Sequence, residues 1–203
     1  MSTTEKRHSD PERANSRRKQ VLDAAESCFG RSGFHGASMA EISKAAGMSA
    51  GHIYNYFDSK DAIIAAFVEQ NVERVSALMR DLGQQADPLQ SMLDDAAKSV
   101  REHLDPSTWP LGLEIAAEAA RNPKIAAVVH DADLRARQQF RVILKRAREQ
   151  HQLPADDFAI DGMMEALITL FQGLDVRAVH NPTLNEEALV PYFRAAMKGL
   201  LFA

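Results

Sequence analysis

The chain has 203 residues, of which 26% are charged, a formal net charge of −4 and a single cysteine. One cysteine excludes an intramolecular disulfide framework, and the polar first twenty residues do not resemble a signal peptide. No run of about eighteen apolar residues could span a bilayer. These features predict a cytoplasmic protein with no membrane partner.

Charge is unevenly distributed along the chain. Residues 1–60 contain nine Lys and Arg against seven Asp and Glu, whereas residues 61–203 contain fifteen against twenty-one. This balance excludes a histone-like protein that binds nucleic acid through a uniformly basic surface. Residues 1–16 are interpreted as a flexible basic arm, with a tail that contacts nothing as the alternative. Arg17 and Arg18, at the start of the first helix, are predicted to contact phosphates.

Two short helices with clear punctuation follow the first helix. Ser38 and Glu41 form a capping box, which predicts a helix over about 39–45. Gly47 supplies the left-handed conformation that a tight turn needs. Ser49 then caps a second short helix over about 50–56. A short helix, a glycine turn and another short helix are typical of a helix-turn-helix, a motif that inserts side chains into the major groove.

The second short helix has an inward and an outward face. Ile53 and Phe57 are four residues apart and are predicted to face the core, whereas His52 and Asn55 share the opposite face. Gly51 leaves room for close approach of the backbone to a phosphate or a base. Tyrosine hydroxyls and a lysine are suited to phosphates. The predicted DNA-binding residues are Arg17, Arg18, Ser38, Ser49, Ala50, Gly51, His52, Tyr54, Asn55, Tyr56 and Lys60.

Six further helices are predicted beyond residue 58, separated by Pro, Gly, Asp and Asn. They cover about 59–83, 88–104, 109–122, 123–150, 156–181 and 186–203. Apolar residues recur at spacings of three and four, and no hairpin signal is present, so an all-α protein with about nine helices is expected. We predict a three-helix helix-turn-helix domain over 17–61 and a helical effector-binding and dimerisation domain over 62–203.

The first domain carries a dense set of residues in a fixed register: Gly33, Phe34, Ala37, Ser38, Glu41, Ile42, Ala45, Ala46, Gly47, Met48, Ser49, Gly51, Ile53, Tyr54, Tyr56, Phe57, Ser59, Lys60, Asp61 and Ile63. Over about residues 17–64 this pattern resembles the DNA-binding domain of TetR-family transcriptional regulators. The resemblance implies a homodimer whose C-terminal half binds a small effector and thereby releases DNA. His52 occupies a position that varies in this family, so the preferred DNA sequence does not follow from it.

The last two helices offer more apolar surface than one helical hairpin can bury. An intermolecular four-helix bundle would cover this surface, and a two-fold axis would let two recognition helices bind a palindrome. The alternative is that the preceding helices cover it within one chain. The predicted dimer-interface residues are Gly162, Leu170, Gly173, Leu174, Phe193, Ala196, Met197 and Leu200.

An effector cavity would be lined by aromatic and flexible side chains. The candidates are Trp109, Leu113, Phe140, Met163, Met164, Leu167 and Phe171, and packing in an ordinary core is the alternative for each. Glu114 and Glu118 could balance a cationic ligand, although an ion pair between Glu118 and Arg121 is a simpler explanation. Histidines and acids show no metal-ligand spacing, so neither a metal nor another cofactor is expected.

The function indicated is that of a ligand-responsive transcriptional repressor, a homodimer that binds a palindromic double-stranded operator and is released by a small apolar or amphipathic effector. A structural DNA-binding protein or an activator without an effector is the alternative. No phosphate loop, dinucleotide fingerprint or His-Glu-x-x-His motif is present, so an enzyme is not expected.

Overall fold

The computed structural model describes residues 11–108 and 110–203, and within these ranges all regular structure is helical. The helices are α1 (Pro11–Gly36), α2 (Met39–Ala45), α3 (Ala50–Ile53), α4 (Lys60–Gly83), α5 (Pro88–Asp94), α6 (Ala96–Leu104), α7 (Pro110–Ala119), α8 (Pro123–Gln150), α9 (Asp157–His180) and α10 (Glu186–Leu201). The predicted all-α class is confirmed. None of the helices described is both long and apolar enough to cross a membrane.

Two compact units divide the chain, Met1–Phe67 and Val68–Ala203. The division falls inside α4, a few residues beyond the boundary predicted after residue 61. Six of the ten helices lie wholly in the second unit, which holds the larger core. Each unit is described by itself below.

The first unit has its core between α1, α2, α3 and the first turns of α4. Large apolar side chains are completely or almost completely buried there: Val21, Phe29, Phe34, Ile42, Ile53, Phe57, Ile63 and Ile64. The ring centroids of Phe29 and Phe34 are 5.5 Å apart. Gly33 interrupts the helical backbone of α1 with φ 67°, a conformation that only glycine adopts without strain.

The start of α1 differs from the prediction. Within the described residues α1 extends from Pro11, so residues 11–16 of the predicted flexible arm are helical. Proline fixes φ near the helical value and its missing N–H is not needed in the first turn, which favours a helix start here. Residues 1–10 of the predicted arm lie outside the described part of the chain.

In the second unit, α5, α6, α8, α9 and α10 surround one core. Its most buried members are Leu89, Ala96, Val100, Leu144, Ala147, Ile160, Met164, Leu167, Met197 and Leu201. The single helix predicted over 88–104 is two helices that meet at Asp95, whose backbone N–H donates to the carbonyls of Leu93 and Ser91. The break lets Leu89, Leu93, Ala96 and Val100 all enter the core, which apolar spacing alone does not reveal.

A buried cation connects three helices of the second unit. Arg148 of α8 is 4% exposed, and its Nε donates to the carbonyl oxygen of Pro154 at 2.6 Å. Its two terminal nitrogens donate to backbone oxygens, that of Leu201 at 2.9 Å and that of Ala203 at 2.7 Å. The carbonyl groups at the C-terminal end of a helix carry partial negative charge, so the guanidinium holds the end of α10 against α8 and the segment that precedes α9.

Candidate functional site

The helix-turn-helix begins with a complete capping box at α2. The Ser38 hydroxyl accepts the backbone N–H of Glu41 at 3.1 Å, and the Glu41 carboxylate accepts the backbone N–H of Ser38 at 2.8 Å. This arrangement satisfies two amide groups that have no partner inside the helix. The predicted bounds of α2, 39–45, agree with the structure.

Acid should weaken the capping box. The Ser38 backbone N–H, and then its hydroxyl, lower the pKa of Glu41 below its ordinary value. A carboxyl group with a lowered pKa stabilises the fold at high pH, and this contribution is lost as the pH falls through the ordinary and then the lowered value. Glutamine cannot ionise. In Glu41→Gln the stability of the helix-turn-helix domain should therefore depend less on pH below about 4.5. Thermal melting of wild type and variant between pH 3 and 7 would check this; equal pH dependence would contradict it.

The turn and α3 follow the predicted signals with one difference in length. Gly47 has φ 62° in the turn, and the Ser49 hydroxyl accepts the backbone N–H of His52 at 3.3 Å. The helix predicted over 50–56 ends at Ile53. Residues 54–56 form hydrogen-bonded turns instead, in which the N–H of Tyr56 and of Phe57 both donate to the carbonyl of Ile53.

Most of the predicted DNA-binding residues of this segment are exposed in the structure. Ile53 and Phe57 are buried, whereas the residues between and before them are exposed, namely Ser38, Ser49, Ala50, Gly51, His52, Tyr54 and Asn55. Tyr56 is half-buried. A backbone anchored by two apolar side chains thus presents short, polar and aromatic groups outward, which is the chemistry needed for groove and phosphate contacts.

Two of the cationic residues predicted to contact DNA also hold the first unit together. Arg18 donates from Nη1 to the carbonyl oxygen of Tyr56 at 3.0 Å, and its guanidinium lies 4.2 Å from the centre of the Phe57 ring. Lys60 donates from Nζ to the carbonyl oxygens of Phe34 at 2.6 Å and Ala37 at 2.7 Å. These contacts fix the two cations in place beside the exposed residues. Each cation keeps further N–H donors that these contacts do not use.

Among the residues that the structure describes, Arg17 and Lys19 contact near neighbours on α1. Arg17 Nη1 donates to Gln20 Oε1 at 2.8 Å, and Lys19 pairs with Asp23 at 2.8 Å. Gln20, also on α1, makes a long-range contact. Its Nε2 donates to the carbonyl oxygen of Ala46 at 2.7 Å and so connects α1 to the turn. Sequence reasoning missed this residue, because the partners are 26 positions apart and a surface glutamine carries no signal of such a contact.

The predicted effector-lining residues of the second unit lie mostly in its core. Met163, Met164 and Leu167 are buried, and Phe140 and Phe171 pack against the same cluster. Leu113 is half-buried on α7, and Trp109 lies outside the described residues. The Phe171 ring stands 5.2 Å from that of Phe193 and 5.3 Å from the imidazole of His103. A surface groove between α4 and α8, about 730 Å³ in volume, is lined by none of the predicted residues.

The predicted dimer-interface residues divide into two groups. Gly162, Gly173 and Ala196 are exposed, and Leu170 and Leu200 are half-buried. Leu174, Phe193 and Met197, in contrast, are buried in the core of their own chain. The interface prediction is corrected for these three, because an apolar side chain that fills its own core is not available to a partner. The exposed face of α10 instead carries Ala188, Tyr192, Ala195 and Gly199.

Glu118, the second acidic residue of α7, is explained by contacts at the end of that helix. Glu118 is buried, lies 3.3 Å from Arg121 Nε and accepts a hydrogen bond from Asn122 Nδ2 at 3.0 Å. The ion pair considered in the sequence is therefore present, although its acid is not solvated. Among the described residues, no group of three or more His, Cys, Asp or Glu is placed to hold a metal ion.

Comparison with known families matches both parts of the chain. Residues 21–67 match the model of bacterial regulatory proteins of the tetR family, and residues 85–201, more than half of the chain, match the C-terminal domain of BetI-type transcriptional repressors. The chain belongs to the TetR family. It is therefore a helix-turn-helix transcriptional regulator that binds DNA, as the resemblance of its first domain predicted.

Individual TetR-family relatives match over almost their whole length. The transcriptional regulator UidR of Escherichia coli (strain K12) is 28% identical over 188 residues, covering 92% of this chain and 93% of the relative. The structure of Salmonella enterica GusR superposes with a TM-score of 0.74 and 26% identity, covering 96% and 98%. A transcriptional regulator from Saccharomonospora viridis, solved in complex with choline, has a TM-score of 0.70 at 22% identity, covering 92% and 96%, and this likeness concerns the fold.

Proposed function

We propose that this TetR-family regulator is a homodimeric repressor that binds a palindromic operator and is released by a small molecule. The observation that carries the proposal is the exposed surface of α3 and the following turn, anchored by Ile53 and Phe57 and flanked by the fixed cations Arg18 and Lys60. Operator binding would place His52 and Asn55 at base edges and the tyrosine hydroxyls and Arg17 at phosphates. A cytoplasmic location follows from the same role.

Gly51 provides a direct test of close approach to DNA. Apart from the adjacent residues and the backbone of α3 itself, no heavy atom lies within 4 Å of the position that a Cβ would occupy at Gly51. Alanine is favoured over glycine in a helix by roughly 0.5–1 kcal/mol. Gly51→Ala should therefore leave the protein as stable as wild type, or slightly more so, yet weaken operator binding at least tenfold. Thermal melting and a DNA-binding titration would measure the two effects.

Gly47→Ala is the matched control. Its Cβ would also meet no heavy atom within 4 Å beyond the adjacent residues, but the backbone has φ 62°, which costs an L-residue about 1 kcal/mol or more. This variant should lose stability, and its operator binding should fall only as far as the folded fraction of the protein falls. Unchanged operator affinity in Gly51→Ala would show that the backbone of α3 does not approach the DNA.

Dimerisation is proposed through the exposed faces of α9 and α10. Gly162, Gly173, Ala195, Ala196 and Gly199 are small and exposed, and small side chains permit close helix packing in a four-helix bundle. The same two helices also expose larger apolar side chains, Val176 and Tyr192, which the partner would cover. Two recognition helices related by a two-fold axis would then enter successive major grooves about 34–36 Å apart.

The effector is proposed to bind among the aromatic and methionine side chains of the second unit. Support comes from the clustering of Phe140, Met163, Met164, Leu167 and Phe171 in one core, and from the S. viridis relative of the same fold that was solved with choline. A ligand that enters this cluster must separate side chains that are in contact. Such a ligand would bind one conformation better than the other and so shift the affinity for DNA.

An effector screen would test this part of the proposal. A ligand should raise the melting temperature of the protein and weaken the operator complex over the same concentrations. Phe140→Ala should reduce its potency at least tenfold while changing ligand-free operator affinity little. Val142→Ala is the matched control, since Val142 lies on the same helix but is 69% exposed. Equal effects of the two changes would move the site away from this cluster.

The same screen separates the proposal from its alternative, a DNA-binding structural protein or activator without an effector. That protein would bind its operator with an affinity that no small molecule changes. The C-terminal match to BetI-type repressors over residues 85–201 favours the repressor. Transcription from a promoter that contains the operator should fall when the protein is present and recover when the ligand is added; a rise on adding the protein would indicate an activator.

A further inference from the structure

His52 and Tyr56 form a pair of stacked side chains at the exposed surface of the helix-turn-helix. Their ring centroids are 5.5 Å apart, and the planes differ by 16°. His52 Nε2 lies 3.2 Å from the Tyr56 hydroxyl oxygen. One nitrogen of the imidazole is thus engaged with the tyrosine, and Nδ1 is the ring nitrogen left for a partner outside the pair.

Tyr56 is the fixed member of this pair. Its backbone N–H donates to the carbonyl of Ile53 at 3.0 Å, and its own carbonyl accepts Arg18 Nη1 at 3.0 Å. The neighbouring residues Ile53 and Phe57 are buried, Tyr56 is half-buried and His52 is exposed. The backbone that carries the tyrosine ring is therefore held from α1 and the core, and the stacked imidazole lies against this half-buried ring.

The proton between Nε2 and the hydroxyl decides what Nδ1 can do. A neutral imidazole carries one N–H, so one nitrogen is a donor and the other an acceptor. In the proposed operator complex the Tyr56 hydroxyl donates to a phosphate oxygen, which leaves its oxygen to accept from Nε2–H. The other nitrogen, Nδ1, is then an acceptor. A phosphate contact of the tyrosine thus fixes the tautomer of the histidine.

We propose that Tyr56 is a positioning residue that holds His52 in the tautomer whose Nδ1 accepts a hydrogen bond, so that His52 selects adenine or cytosine. In the major groove only these two bases present an exocyclic amine, adenine at N6 and cytosine at N4, whereas guanine and thymine present no N–H donor. The inference rests on the proposed operator binding through α3, and it adds which base chemistry is recognised and which residue determines it.

Selection from a randomised double-stranded DNA pool tests the pair with the full chain. Wild type should enrich a sequence with adenine or cytosine at one position of each half-site, and His52→Ala should lose the preference at that position. Tyr56→Phe should weaken binding to all sequences and also lose the preference there. Tyr54→Phe, which removes the same atom from a tyrosine that is 51% exposed, should weaken binding without changing any preference.

A modified operator tests the hydrogen bond without changing the protein. Replacing that adenine by purine, or that cytosine by 2-pyrimidinone, deletes only the exocyclic amine. Wild type should bind the modified operator about five- to tenfold more weakly. His52→Ala should bind both operators equally, and Tyr56→Phe should show less than half of the wild-type discrimination. This measurement on wild-type protein stands even if Tyr56→Phe proves unstable in a thermal melt.

Several outcomes would overturn the inference. Guanine or thymine at the position controlled by His52 would show that Nδ1 donates, and unchanged preference in Tyr56→Phe would show that the tyrosine does not set the tautomer. Equal wild-type affinity for the normal and amine-deleted operators would exclude the hydrogen bond. If wild type enriched no sequence at all, that result would contradict the proposed operator binding itself. An enriched operator without the His52 effect would contradict only this inference.

Discussion

Replacing Arg148 by methionine is expected to lower the melting temperature of the protein by about 10 °C. The guanidinium is buried and donates to three backbone oxygens, those of Pro154, Leu201 and Ala203. Its loss leaves carbonyl groups without partners, at about 1–3 kcal/mol for each that stays buried. A total of about 3–5 kcal/mol corresponds to such a shift for a protein of this size.

Two further variants of α8 make this result specific. Arg148→Lys keeps the charge but cannot donate in three directions from a planar group, so it should recover less than half of the loss. Arg146→Met removes an arginine of the same helix that is exposed, and it should change the melting temperature by less than about 2 °C. Similar melting temperatures for Arg146→Met and Arg148→Met would mean that the carbonyl contacts contribute no stability.

Adjacent positions of α10 should respond to a new charge in opposite ways. Phe193 is 4% exposed in the core of its own chain, whereas Tyr192 is 79% exposed. Phe193→Glu should prevent stable folding, since losing a buried aromatic ring costs about 3–5 kcal/mol and a buried unpaired carboxylate adds to this. Tyr192→Glu should leave the helical circular dichroism spectrum unchanged and give monomers, because the charge would face the proposed partner.

Sedimentation and operator titration would measure the second outcome. A monomer holds one recognition helix, so loss of the second contact should weaken binding to a palindrome by about 100-fold or more. Lys198→Glu is the control for charge alone, since Lys198 is an exposed α10 residue outside the Ala188, Tyr192, Ala195 and Gly199 face. A dimeric Tyr192→Glu at micromolar concentration would exclude that face from the interface. A folded Phe193→Glu would contradict its assignment to the core.

The sequence by itself determined the features that depend on neighbouring residues. The capping box of Ser38 and Glu41, the left-handed Gly47 and the cap at Ser49 are present as predicted. The bounds of α2, α4 and α8 also agree closely with expectation. These features are predictable because each depends on hydrogen bonds or backbone preferences that span only a few residues.

Tertiary structure decided the contacts between residues far apart in the chain. Arg18 reaches Tyr56 and Lys60 reaches Phe34 and Ala37, and a cationic residue beside a DNA-binding motif gives no sign that its partner is a carbonyl group. Arg148 is a similar case, since arginine is rarely buried and nothing in its local sequence indicates the carbonyl oxygens that it meets.

Tertiary structure alone also decided which apolar side chains of α9 and α10 face inward. Apolar residues at spacings of three and four predict a helix with an apolar stripe, but they do not show which of two adjacent stripes meets the rest of the chain. Leu174, Phe193 and Met197 were predicted at a dimer interface and are core residues, whereas Tyr192 is exposed. The physical reason is that burial depends on where the other helices pack, and those contacts join residues that the local pattern does not relate.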